Sequence, residues 1–160
     1  SSLAVRSVHL VQEVSLLTVS GSAMVGRRGM AAKIFDAIAQ AGGNIRMISQ
    51  SVSESGISLA IARRDLESVR AALEGTLVRP GLVHHIQIEE AVAIVAIVGE
   101  GMRGAHGVAA RLFQSIAEAK INVMAIAQGS SELSISFIVE ESCGADAVRA
   151  AYRAFLGEGR

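Results

Sequence analysis

Two pairs of carboxamide side chains bracket short apolar stretches of the sequence, and they are well suited to bind a small polar ligand. Asn44 and Gln50 enclose one stretch, and Asn122 and Gln128 enclose the other at the same spacing. Carboxamides provide both donors and acceptors without a net charge, as recognition of a zwitterion such as a free amino acid requires. Two structural interpretations stay open: the amides could satisfy the edge of a strand, and the asparagines could favour a turn after a helix.

A glycine-bearing loop precedes the first predicted helix. Its residues Gly21, Gly26 and Gly29 lack the Gly-Lys-Ser/Thr ending of a phosphate loop and the spacing of a dinucleotide site. One interpretation is therefore a sharp turn from a strand into a helix. The other is a ligand site, because the loop ends at a helix N-terminus, where amide groups and the helix dipole favour a carboxylate.

The remaining reactive side chains form no catalytic or metal-binding set. His84 and His85 are adjacent on a predicted strand and point to opposite faces, and neither they nor His9 and His106 have cysteine or acidic partners at ligand spacing. Cys143 has no histidine partner at a recognisable spacing, so a packing role is expected for it. We therefore expect no metal, no cofactor and no catalytic residues in this chain.

The chain contains an internal duplication. When the sequence is shifted by 78 residues, Val14–Ile61 lies on Val92–Val139 without a gap, and 18 of the 48 aligned positions are identical. Both amide pairs and the loop glycines are among the matches. Two copies are too few for a solenoid, and they suit a pair of similar small domains that gain stability by packing against a second copy or chain.

Each copy is predicted to contain the same order of elements. The predicted elements are, in the first copy, strands Val5–Gln12 and Val14–Ser20, helix Gly29–Ala41, strands Asn44–Val52 and Ile57–Ala62 and helix Arg63–Glu74, and in the second copy, strands Val83–Glu89 and Val92–Gly99, helix Gly107–Ala119, strands Asn122–Gly129 and Ser134–Glu140 and helix Ala145–Leu156. On the first helix, we expect the buried face to contain Ala31, Ala32, Phe35, Ile38 and Ala39.

The leading strand decides the predicted topology. Val83–Glu89 can serve as the last strand of the first copy, but no strand follows the last helix of the second copy. We infer that Val5–Gln12 crosses over to complete the second copy. The sequence therefore predicts an α+β chain of two ferredoxin-like βαββαβ domains, one inserted in the other by exchange of the N-terminal strand. The predicted domains are residues 13–90, and residues 91–160 with residues 4–12.

Composition and charge argue against several classes of partner. Fifteen basic and fifteen acidic residues cancel, and 3% of the residues are aromatic. We therefore expect no nucleic acid and no anionic membrane as partners. The apolar runs are shorter than a membrane span, and the first residues do not resemble a signal peptide. With Cys143 as the single cysteine, a reducing, cytoplasmic location is expected.

Several of these segments resemble the regulatory region of aspartate kinases. The run Asn122–Ser136, NVMAIAQGSSELSIS, and the segment Ala93–Arg103 are similar to the second ACT domain of that family, and Ile48–Gln50 with Ser53–Glu54 is similar to the matching strand of the first. The resemblance covers nearly the whole chain. It is closest to the threonine-sensitive kinases, including those fused to homoserine dehydrogenase.

The resemblance implies a tandem ACT region that binds an end-product amino acid, most closely L-threonine, for feedback inhibition of aspartate-family amino acid biosynthesis. It implies, as a partner, an aspartate kinase catalytic domain or subunit. A two-fold homodimer formed through the ACT domains is expected separately, because small units of apolar strands leave edges and an aliphatic face that should be paired. The strand-closing glutamines, the loop before the first helix and the facing asparagine would contact the effector. The candidate effector-binding residues are Ser22, Met24, Gly26, Gly29, Asn44, Gln50, Asn122, Val123 and Gln128.

The family's kinase domain, with its Lys-Phe-Gly-Gly start, is absent from this sequence. The chain is therefore not expected to phosphorylate aspartate, and it corresponds to an excised regulatory region or to a separately made small subunit. Three alternatives stay open: a lysine sensor, a dimerisation module without a working ligand site, and a free-standing ACT protein that regulates another enzyme.

Overall fold

The structure, a computed structural model, describes residues 4–21, 29–50, 56–100, 107–128 and 134–155. Within these ranges, six strands and four α-helices follow one another in the order expected from the duplication. The strands are β1 Ala4–Ser20, β2 Ile45–Gln50, β3 Gly56–Ala62, β4 His85–Glu100, β5 Ala125–Gln128 and β6 Ser134–Glu140, and the helices are α1 Met30–Gln40, α2 Leu66–Leu73, α3 Val108–Glu118 and α4 Gly144–Phe155. No helix in the described ranges has the length and apolar character needed to cross a membrane.

The chain divides into two compact units. One, here the contiguous unit, is Glu13–Ala91, and the other, here the split unit, is Ser1–Gln12 with Val92–Arg160. The strand order is β2-β3-β1-β4 in the contiguous unit and β5-β6-β4-β1 in the split unit. Each unit therefore contains four strands and two helices in the predicted βαββαβ fold, and β1 and β4 each contribute one half to each unit.

The leading strands are longer than the sequence indicated. Two separate strands were expected before each first helix, but β1 and β4 are single strands of 17 and 16 residues. No glycine or proline interrupts either strand in its middle, so the extended chain continues. In β1 the change of unit falls at Glu13, which has a φ of 60°. The strand expected from Val83 begins at His85, so His84 precedes it.

In the contiguous unit, β3 pairs antiparallel with β1 and with β2, and α1 and α2 contribute to one apolar core with these strands. The expected buried face of α1 is wrong for the alanines, because Ala31, Ala32 and Ala39 are exposed. The prediction is correct for Ile38, which is buried, and Phe35 packs partly buried against the core. In place of the three alanines, the helix buries Met30, Ile34 and Ala37. These residues also follow the helical period, and Met30 and Ile34 gain more free energy from burial than alanine does.

The fourth strand of the contiguous unit is joined to the first by a buried polar contact. The Ser15 side chain is fully buried, and its Oγ donates to the Glu90 carbonyl oxygen at 2.6 Å. Arg63 Nε donates to the same carbonyl at 3.1 Å. The contact satisfies a hydroxyl that would otherwise be costly to bury.

In the split unit, β6 pairs antiparallel with β4 and with β5, and residues of β1 complete the core. Val5 is buried in this core, and Leu10 packs against it. A Cβ built on Gly144, the first residue of α4, would lie 3.0 Å from Leu10 Cδ1 and 3.4 Å from Ala93 Cβ. The start of α4 therefore approaches β1 closely, and a larger residue at this position would force a neighbour to move.

The first helix of each unit ends at a left-handed residue, but only one of the two is glycine. Gly42 has a φ of 74°, and Lys120, its equivalent, has a φ of 60°. A side chain in this conformation costs about 1 kcal/mol or more relative to glycine. We predict that Lys120→Gly raises the free energy of unfolding by about 1 kcal/mol and that Gly42→Lys lowers it similarly, as measured by urea unfolding.

A Cβ at Gly42 would have nothing within 4 Å, so the effect there isolates backbone strain. Ala119→Gly serves as the control, because Ala119 has an ordinary φ of −78° and glycine should destabilise that position. A loss of stability in Lys120→Gly would contradict the explanation.

Candidate functional site

The two glutamines of the amide pairs close equivalent strands. Gln50 is the last residue of β2 and pairs with Ile57, and Gln128 is the last residue of β5 and pairs with Ile135. β2 and β5 are the outermost strands in the strand order of their units. The duplication therefore places the two glutamines at equivalent positions, each at the end of the outermost strand of its own unit. Their side chains lie outside the described part of the structure.

Both asparagines precede these edge strands and are exposed. The Asn44 backbone N–H donates to Asp65 Oδ2 at 3.0 Å, and its carbonyl accepts from the Ala62 N–H at 3.3 Å. These two bonds fix the Asn44 backbone, so they support the interpretation that Asn44 has a structural role through its main chain. They do not involve its exposed carboxamide. Asn122 lies beside Val123, which is partly buried against the core of the split unit.

Gly29 has the conformation that the glycine-bearing loop requires. It is the N-cap residue of α1, with φ 81° and ψ 1°, and its carbonyl accepts the Lys33 N–H at 3.0 Å. A φ in this range favours glycine. Among the described residues, no side chain caps α1 and its first turn has no acidic residue, so the dipole at this end favours an anion. Ser22, Met24 and Gly26 lie outside the described residues.

The structure thus places Gly29, Asn44 and Gln50 in the contiguous unit and Asn122, Val123 and Gln128 in the split unit. The assignment of these residues to an effector site stays a prediction.

The histidines and the single cysteine were the candidate side chains for a metal site or for catalysis. Within the described ranges, no three or more His, Cys, Asp or Glu side chains come together to hold a metal ion. His9 Nε2 is 2.9 Å from Ser7 Oγ, His84 and His85 are exposed, and His106 is outside the described residues. Cys143 is a free cysteine that packs partly buried against the core of the split unit.

One polar arrangement was missed by the sequence reasoning. On α3, Ser115 Oγ donates to the Ala150 carbonyl at 2.7 Å, and Arg111 Nη2 donates to the Ala154 carbonyl at 2.8 Å. These two side chains are one turn apart and bond to carbonyls one turn apart on α4. A comparison of the two copies could have found them, because Ala37, at the position equivalent to Ser115, has no side-chain donor.

The ACT domain family model matches residues 17–77 and residues 95–155. The bifunctional aspartokinase/homoserine dehydrogenase of Haemophilus influenzae is 36% identical over 158 residues, which are 97% of this chain and 19% of that protein. The chain thus spans about a fifth of the length of this curated relative. The resemblance to aspartate kinases is confirmed by this similarity.

Two solved structures resemble the whole chain. The regulatory subunit of aspartate kinase from Thermus flavus is 29% identical with a TM-score of 0.83, and the match covers 95% of this chain and 99% of that one. Aspartate kinase from Synechocystis is 34% identical with a TM-score of 0.87, over 100% of this chain and 28% of that one. With two matched segments and a βαββαβ fold in each unit, this chain belongs to the ACT domain family and contains two ACT domains in tandem.

Proposed function

We propose that this chain is the regulatory region of an aspartate kinase and that it binds L-threonine to inhibit that kinase by feedback. The observation that carries the proposal is the match to the Thermus flavus regulatory subunit, which covers almost the full length of both chains. Its catalytic partner is an aspartate kinase domain or subunit. The chain itself supplies ligand binding, and the catalytic partner supplies the phosphoryl transfer.

The proposed effector site uses the repeated amides and the start of α1. The threonine carboxylate meets the amide groups at the N-terminal end of α1, after Gly29, where the helix dipole stabilises a negative charge. Backbone carbonyls hold the ammonium group, and the Gln50 carboxamide binds the hydroxyl. Asn122 is a further candidate contact of the effector. The duplication of both amide pairs supports this assignment, since a turn alone does not require a glutamine six residues after the asparagine.

Threonine controls the catalytic partner only if it binds two conformations of the protein with different affinity. A ligand with equal affinity for both would leave the kinase unchanged, however tightly it bound. Loss of a contact made only in the inhibited state should therefore relieve inhibition in the intact kinase.

The test is calorimetric titration of the full chain with threonine, lysine, methionine and isoleucine. We expect threonine to bind, and we expect Gln50→Ala to weaken its affinity about ten- to a hundredfold through the loss of one hydrogen bond to a polar or charged group. The thermal midpoint should change little. Gln128→Ala should have the same effect only if the equivalent second site also binds.

Gln40→Ala is the matched control. Gln40 lies exposed at the other end of α1, where its Nε2 donates to Asp36 Oδ2 at 3.0 Å, so the same chemical change should leave threonine affinity intact. Unchanged affinity in both Gln50→Ala and Gln128→Ala would refute the site. If none of the four amino acids binds, the chain is a dimerisation module without an effector, and tighter binding of lysine would reassign the effector.

A further inference from the structure

A polar cleft lies between α3 and α4 of the split unit, within one ACT domain. Its volume is about 250 Å³, which is below the range of roughly 300–1,000 Å³ for drug-sized ligands. The cleft is lined by Arg111, Gln114, Ser115, Glu118, Arg153 and Ala154. With the exception of Ala154, every lining side chain is polar or charged, so the cleft favours a polar ligand over an apolar one.

One wall of this cleft is fixed before any ligand arrives. Arg111 donates to the last turn of α4 through Ala154, and its guanidinium carbon lies 5.8 Å from the centre of the Phe155 ring. Ser115 is bonded to the Ala150 carbonyl. A charged side chain that is already held in one position loses little conformational entropy on binding. Arg111 therefore contributes a positive charge of fixed location.

The other two charged side chains of the cleft are less constrained than Arg111. Arg153 is exposed on α4, and Glu118 is exposed at the end of α3, where Gln114 Nε2 lies 3.4 Å from its Oε1. The cleft thus combines two guanidinium groups with one carboxylate. A guanidinium binds a carboxylate through paired hydrogen bonds, and a carboxylate binds an ammonium group.

The charged lining of the cleft belongs to one copy of the duplication and not to the other. At the positions equivalent to Arg111, Ser115 and Arg153, the contiguous unit has Lys33, Ala37 and Gly75, and at the position equivalent to Glu118 it has Gln40. Both guanidinium groups, the hydroxyl and the carboxylate at the helix end are therefore lacking there. Arg111 and Ser115 join α3 to α4, but packing of the shared fold does not require an arginine at position 153 or a glutamate at position 118, so these two charges distinguish the split unit.

We propose that the α3–α4 cleft is a ligand site for a small acidic amino acid, a molecule with two carboxylates and one ammonium group. The two carboxylates pair with Arg111 and Arg153, and the ammonium pairs with Glu118. The charges of the ligand and of the cleft are then complementary group by group. This site is separate from the threonine site proposed above and does not depend on it.

The test is a titration of the full chain in which the amide chemical shifts are monitored by NMR. The ionic strength is held constant because salt screens surface charges. L-aspartate and L-glutamate are the probes. We expect saturable shifts along residues 111–118 and at residues 153–154, with a dissociation constant of about a millimolar or tighter. Succinate, which has no ammonium group, and L-asparagine, which has one carboxylate, should each bind about tenfold more weakly.

Two variants identify the groups involved. Arg153→Gln should weaken L-aspartate about tenfold, and Glu118→Gln should remove the preference for L-aspartate over succinate. Arg149→Gln is the matched control, since Arg149 is exposed on α4 and pairs with Asp146 outside the cleft, and it should leave the affinity unchanged.

Three results would overturn the proposal: the absence of saturation up to about 10 mM, equal affinity for succinate and L-aspartate in the unaltered chain, and an equal loss in Arg149→Gln and Arg153→Gln. The last result would indicate a general effect of surface charge. Threonine binding is measured separately with Gln50→Ala, so a negative result for one proposed site does not contradict the other.

Discussion

Removal of Ser1–Gln12 should expose the split unit to hydrogen exchange and leave the contiguous unit protected. The expectation follows from where β1 packs: Val5 is buried in the core of the split unit, and Val8 and Leu10 pack against that core. Full burial of one such side chain contributes roughly 1.5–3 kcal/mol. The loss of three, two of them partly buried, should cost about 3–6 kcal/mol, which is comparable to the stability of a small domain.

The readout is the exchange rate of the amides in β4 and β6 of the split unit and in the β1–β3 pair of the contiguous unit. The truncated chain should exchange rapidly along Val92–Val98, which pairs with β6, and should stay protected along Val14–Ser20, which pairs with β3. The opposite pattern would show that the proposed domain ranges are wrong.

A reciprocal pair of point variants tests the same assignment without truncation. Leu10 packs against the core of the split unit, and Ile88, its equivalent in the duplication, packs against the core of the contiguous unit. Leu10→Ala should lower protection in the split unit and Ile88→Ala in the contiguous unit, each by about 1–2 kcal/mol because both side chains are partly buried. His9→Ala, at an exposed position of β1, should change neither.

Replacement of Ile48 or Ile126 with lysine should dissociate the proposed ACT homodimer. Both isoleucines are 48% exposed and lie on the outermost strands β2 and β5. An exposed aliphatic residue on the outermost strand of a sheet is a typical site of association. In a two-fold dimer each substitution acts twice. The free energy of burial that is lost is therefore about 2–3 kcal/mol, which raises the dissociation constant of the dimer roughly a hundredfold.

Light scattering of the unaltered chain at about tens of micromolar should show a dimer, and comparison of the two variants identifies the edge that joins the subunits. Tyr152→Lys is the control, since Tyr152 is 42% exposed but lies on α4. A monomer in the unaltered chain would rule out the dimer. If Tyr152→Lys were monomeric and both isoleucine variants remained dimeric, the interface would lie on the helices.

Much of the fold could be predicted because the duplication supplied two independent copies of each pattern. The strand count required Val5–Gln12 to cross over, and the β6 prediction, Ser134–Glu140, agrees with the structure. The absence of glycine and proline from the middle of β1 is visible in the sequence, but the positive φ of Glu13 at the change of unit was not predictable, since propensity disfavours it. Three alanines of α1 were wrongly assigned to its buried face because alanine is compatible with both exposed and buried positions of a helix.

The candidate site was less predictable than the fold. Glycine at position 29 indicated a special backbone conformation, and the structure has a positive φ there. The bonds from Arg111 and Ser115 to α4 join residues distant in sequence, so no local pattern could reveal them. The role of Gln50 depends on the ligand, which no regularity of a single chain specifies.

The sharing of β1 between the two units has a consequence during translation. The contiguous unit is an uninterrupted stretch of chain and can close as soon as Ala91 has left the ribosome. Ala4–Gln12 must instead wait until the rest of the split unit has been made. At about 5–20 residues per second, residues 92–155 take roughly 3–13 s to synthesise. For that interval the nascent chain carries an apolar strand without a partner, attached to a domain that has already folded. Such a segment is a substrate for chaperones and a risk for aggregation between polysomes.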